Sequence, residues 1–94
     1  MQPAHDPTNG RFFIANPEGD SVLVYTLDPS AHRMTITHTF VPPPQRGRGQ
    51  AELLTRAALA WAAAEHLRVI PACSYVARFI TRHHDFHHLT ASGG

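Results

Sequence analysis

The chain has 94 residues, eight basic and seven acidic, for a net charge near +1, with 43% hydrophobic and 16% charged residues. That is the balance of one globular domain with a single modest core, and it excludes both a disordered chain and a general nucleic-acid binder, which needs a broad basic face. The longest apolar run, Ala57 to Ala64, is far short of the ~20 residues of a crossing helix, so no membrane span is expected.

Residues 1 to 10 carry two prolines and little apolar content and read as a flexible leader. Arg11 to Ala15 is a short strand candidate. Asn16-Pro-Glu-Gly-Asp20 then supplies the punctuation of a turn into a β-branched and aromatic run, Ser21 to Leu27, which together make a hairpin. Asp28 to His32 is the next turn. In Arg33 to Val41, Met34, Ile36, His38 and Phe40 share one face of a third strand and Thr35, Thr37 and Thr39 the other, so His38 is expected on the apolar side.

Val41 to Ala51 joins that strand to the one long helical pattern. Pro42 to Pro44 end the strand and are expected to hold the chain extended. Gly47 and Gly49 can take positive φ and lack a Cβ, so a ligand oxygen can approach their amides. The helix that follows exposes unpaired N–H groups and the positive end of its dipole, and Arg46 and Arg48 add charge, so the stretch reads as an anion cradle. With no Gly-Lys-Ser/Thr and no Gly-x-Gly-x-x-Gly, it is neither a P-loop nor a dinucleotide fingerprint.

The helix runs from about Gly49 to His66, with Leu54, Ala57, Ala58 and Trp61 as its inner stripe and Glu52 and Arg56 paired on an exposed face. Leu67 to Pro71 is a fourth strand. Ser74 can cap a last helix, Tyr75 to about His84, with Val76, Phe79 and Ile80 inward. Residues 90–94 read as a flexible tail. The order implies an α+β fold: a mixed, mostly antiparallel sheet of about four strands with two helices, its last strand reached by a crossover that sets Val41 to Ala51 and Ala72 to Tyr75 at one edge.

His38-Thr39-Phe40-Val41-Pro42, Gln45-Arg46-Gly47-Arg48-Gly49-Gln50-Ala51 and Pro71-Ala72-Cys73-Ser74-Tyr75-Val76 together resemble the small single-domain GNAT acetyltransferase-like proteins, over residues 11 to 89. Arg46-x-x-Gly49-x-Ala51 is similar to the Gln/Arg-x-x-Gly-x-Gly/Ala motif with which GNAT enzymes hold the pyrophosphate of acetyl-CoA; Gln50 departs from the apolar residue many members carry there. The resemblance implies a minimal GNAT core, acetyl-CoA as cofactor, and acetyl transfer to an amine acceptor, small molecule or protein. It implies a cofactor site of Val41, Gln45, Arg46, Gly47, Arg48, Gly49, Gln50, Ala51, Cys73 and Tyr75. In that scheme the amine attacks the thioester directly and a main-chain N–H of Val69 to Ala72 stabilises the oxyanion.

Two residues carry candidate catalysis. Cys73 is a thiol able to accept the acetyl group, or a small buried filler; His38 is a base, or a hydrogen-bonded structural residue. Tyr75 touches cofactor or caps the core. His83, His84, His87 and His88 form i,i+4 pairs if the last helix continues, but an exposed helix end accounts for them and no metal is expected. A lone cysteine and no signal pattern point to the cytoplasm. The leading alternative is a non-catalytic CoA or acyl-CoA binding module, and a weaker one is an adaptor using the arginine pair.

Overall fold

The computed structural model describes residues 2–90. Five strands, β1 (Ala4–Asp6), β2 (Arg11–Ile14), β3 (Ser21–Asp28), β4 (Arg33–Phe40) and β5 (Arg68–Pro71), form one sheet in the order β1-β2-β3-β4-β5. The first four are antiparallel in sequence and β5 lies parallel to β4. Parallel neighbours need a long crossover, and α1 (Gln50–Ala64) supplies it. The second helix, α2 (Ser74–Arg82), follows β5. The expected α+β architecture is present, with one strand more than predicted.

That extra strand is β1, where the sequence suggests a loose leader. His5 does the work: its ring stacks on Phe12 at 4.0 Å, meets Trp61 edge-on at 4.7 Å, and its Nε2 lies 2.6 Å from the Tyr25 hydroxyl. Aromatic stacking and one hydrogen bond thus offset the entropy of ordering a short polar segment. Thr90 forms a parallel bridge with Val69 on the far edge of β5. Thr90 is the first residue of the tail expected at 90–94, and the rest of it, 91–94, lies outside the described residues.

One face of the sheet is buried by both helices. Phe12, Ile14, Leu23, Tyr25, Met34, Ile36 and Val69 meet Leu54, Ala58, Leu59 and Ala62 of α1 and Val76, Phe79 and Ile80 of α2. Ala58 and Ala62 are fully buried, and their small side chains let the helix lie close to the strands. The inner stripe therefore centres on Leu54, Ala58, Leu59 and Ala62, while Ala57 and Trp61 flank it. Glu52 and Arg56 pair at 2.9 Å on the exposed side, worth only a few tenths of a kcal/mol.

β4 carries the feature that shapes the site. Ile36 pairs with Tyr25 and His38 with Val24, so Thr37 is an extra residue opposite no partner, a β-bulge. The bulge exchanges the faces of everything after it. Met34 and Ile36 are buried as expected, but Thr39 turns to the helix side opposite Leu23, and His38 and Phe40 turn out. His38 is exposed, on the side away from the helices, which corrects its expected apolar setting.

Candidate functional site

Pairing between β4 and β5 stops at Ile36 and Pro71, where the Cys73 amide donates to the Ile36 carbonyl at 3.0 Å. β4 continues to Phe40 with β3 on one side and, among the described residues, no strand on the other. Alternate main-chain groups of Thr37 to Phe40 thus face away from β3, along a split between β4 and the start of α2.

A cleft of about 440 Å³ opens beside that split, lined by Thr39, Phe40, Val41, Gln45, Arg46, Gly47, Gly49, Gln50, Ala51, Glu52 and Tyr75. Its floor is the connection to α1. Pro43–Gln45 make a single turn of 3-10 helix rather than the expected extended run, with the Gln45 amide donating to the Pro42 carbonyl at 2.8 Å. Gly47 and Gly49 have φ of +83° and +79°, the left-handed conformation expected of them, and a Cβ at either would meet nothing within 4 Å. Gly49 is the N-cap of α1, and no side chain caps the helix. An uncapped start behind two bare glycines is the arrangement in which main-chain N–H groups and the helix dipole favour an anion.

The side chains around it are less free than the sequence suggests. Arg46 Nε donates to the Val41 carbonyl at 2.9 Å, and its guanidinium lies 5.9 Å from the centre of the Phe40 ring, a cation over an aromatic face. Arg48 is exposed and does not line the cleft. Gln45 donates to Glu18 at 2.7 Å, and the Gln50 side chain turns away into the β2–β3 turn, so neither amide is aimed at a ligand. Phe40, 45% exposed, and Tyr75, 37% exposed, put aromatic surface on the cleft. Tyr75 therefore faces the cleft rather than capping the core. Burial and the neighbouring Glu52 carboxylate raise its pKa above the ordinary phenol value, partly opposed by Arg56, so its hydroxyl keeps its proton at neutral pH.

A GCN5-related N-acetyl-transferase family model matches residues 11–89. The chain belongs to that family. The match begins at β2 and ends with the 3-10 turn His84–Leu89, so β1 precedes it. This GNAT domain thus sets an uncapped helix start, an aromatic wall and a free strand edge around one cleft.

Cys73 lies one layer behind the cleft of the GNAT domain. It, and not Ser74, is the N-cap of α2, and its Sγ lies 3.2 Å from Thr39 Oγ1. Burial pushes the thiol up, but Thr39 and the main-chain N–H groups of Val76 and Tyr75 pull harder the other way, and the net pKa is below the ordinary thiol value although none of the amides makes a full cap hydrogen bond. The oxyanion donors expected on Val69 to Ala72 are in part already engaged: the Ala72 amide donates to Ile70 at 3.0 Å.

His38 is not brought to the cleft. Neither do the C-terminal histidines pair at i,i+4, because α2 ends at Arg82 and His84–Leu89 is 3-10 helix. His83 instead stacks on Phe79 at 4.0 Å and bonds its carbonyl, and His84 faces His87. Among the described residues no three His, Cys, Asp or Glu side chains converge on a metal position. Thr39, Phe40 and Glu52 are the lining residues the sequence hides, Phe40 because unbroken alternation would send it toward the core. Thr39 alternates onto the wrong face until the bulge is known, and Glu52 reads as half of a solvated pair.

Proposed function

We propose that this GNAT domain binds acetyl-CoA in the cleft and transfers the acetyl group to an amine. The observation that carries the reading is the uncapped start of α1 behind two left-handed glycines, opening on a cleft that Thr39 and Phe40 of β4 also line. Main-chain amides of Gly47 to Ala51 take the diphosphate, with Arg46 beside them. When bound, acetyl-CoA supplies an activated thioester. The exposed main chain of Thr37 to Phe40 offers hydrogen bonds to an extended amide-bearing arm, as an added strand does, and Phe40 and Tyr75 shield it from water. Tyr75 holds a proton at its hydroxyl on the cleft side, where a departing thiolate needs one. Cys73, whose thiol pKa is lowered, offers a covalent route in which its sulfur bonds the acetyl carbon as the thioester C–S bond breaks and the CoA thiol leaves, and the amine then takes the acetyl group and frees the cysteine.

A second reading has a specific observation behind it. His38 points away from the cleft, and among the described residues the one carboxylate in the lining, Glu52, is engaged with Arg56. A site lacking a free base suits a module that binds CoA or acyl-CoA without turnover. Titration calorimetry with CoA, followed by thiol release from acetyl-CoA over a panel of primary amines, separates the two. Binding with amine-dependent release is expected; binding without release establishes the module, and no binding overturns both. Cys73→Ala with undiminished release restricts the chemistry to direct transfer.

A further inference from the structure

α1 has no side-chain cap, yet its first turn is gripped from behind. Gln50, the first helical residue, is only 3% exposed and places a primary amide where the inward face of a helix ordinarily carries carbon. Its Oε1 accepts from Asn16 Nδ2 at 3.1 Å and from Ser21 Oγ at 2.5 Å. Its Nε2 donates to Asn16 Oδ1 at 3.0 Å and, more weakly, to Gln45 Oε1 at 3.4 Å. Gln50 and Asn16 thus exchange two hydrogen bonds as a reciprocal amide pair. Asn16 is itself anchored, donating also to the carbonyls of Ile14 and Gly19, each at 3.3 Å. At the loop's other end Gln45 Nε2 donates to Glu18 Oε1 at 2.7 Å.

The two ties bracket the glycines. Gln45 stands just before Arg46-Gly47 and Gln50 just after Gly49, and both lead to the same turn between β2 and β3. A loop with two left-handed glycines is otherwise the segment with the most backbone freedom to lose when a ligand arrives. A buried polar network gains little stability over carbon of the same shape, but it admits only one geometry.

We propose that Asn16, Ser21 and Gln50, assisted by Glu18 and Gln45, are positioning residues for the cofactor loop. They hold the main chain of Gly47 to Ala51 in its anion-facing conformation before any ligand binds, so that the ordering cost is met during folding and not during binding. This rests on the CoA reading above and adds to it the residues that set the affinity.

The test is calorimetric titration of CoA into wild type, Gln50→Leu, the triple variant Asn16→Ala/Ser21→Ala/Gln50→Leu, and Glu18→Ala, each with a thermal melt. Gln50→Leu strands Asn16 and Ser21 and lowers both Tm and affinity. The triple variant removes the polar groups from both sides together, so its Tm recovers part of the loss, while its Kd for CoA stays about tenfold or more above wild type. Affinity that does not follow Tm is what a merely structural network cannot produce. Glu18→Ala, on an exposed turn outside the cleft lining, keeps the wild-type Tm and raises Kd by a factor of about three. A folded triple variant and Glu18→Ala that both bind within about twofold of wild type overturn the proposal while leaving the CoA site standing. Wild type that binds no CoA overturns the CoA site, and the positioning role with it.

Discussion

Gly49→Ala tests the anion cradle at its narrowest point. Gly49 has φ of +79° and ψ of 11°, and an L-residue in that left-handed region costs about 1–2 kcal/mol. A Cβ there would touch nothing within 4 Å, so no overlap adds to the strain. Against this, alanine restricts the unfolded chain and returns about 0.4–1 kcal/mol. The net loss is on the order of 1 kcal/mol, a Tm decrease of roughly 4–8 °C for a domain of this size. Binding should suffer more than folding. The new methyl group occupies the open space over the first amides of α1, where a phosphate oxygen has to come close, so the Kd for CoA should rise about 10- to 100-fold. Thermal melts give the first quantity and titration calorimetry the second. A variant with the expected Tm decrease and an unchanged Kd would mean that these amides hold no ligand, and the cleft would lose its cofactor assignment.

Gly10→Ala should be much worse for stability. Gly10 also has positive φ, +64°, but a Cβ there would stand 2.6 Å from the Tyr25 carbonyl oxygen, so strand β3 must shift. A loss of more than about 2 kcal/mol in denaturant unfolding is expected, and one equal to that of Gly49→Ala would show that β3 gives way easily. His5 makes stability depend on pH: burial lowers its pKa below 6.5, against an opposing pull from Asp6. The folded state then binds the proton less readily than the unfolded one, so the contribution of His5 is whole above pH 6.5, declines as pH falls through 6.5 toward the lower folded value, and is flat below it. His5→Phe keeps the stack on Phe12 without the titration, and its Tm should fall less than wild type between pH 7.5 and about 5. Parallel curves for the two proteins would exclude His5 as the source.

What the amino-acid order determined by itself is whatever depends on neighbours along the chain. The alanine and leucine pattern of α1, the β-branched and aromatic run of β3, the left-handed glycines at 47 and 49 and the inward Val76, Phe79 and Ile80 of α2 are all consequences of local sequence, and each element is found where the sequence puts it. β1 could not be read this way, because Ala4–Asp6 has little strand character and is held by Phe12, Tyr25 and Trp61, which only the folded sheet brings around His5. The faces of β4 beyond Ile36 were likewise decided in tertiary structure. A single unpaired residue, Thr37, sends His38 out and Thr39 in, and since strand side chains alternate with a period of two, one extra residue is enough to reverse which of them meets the cleft.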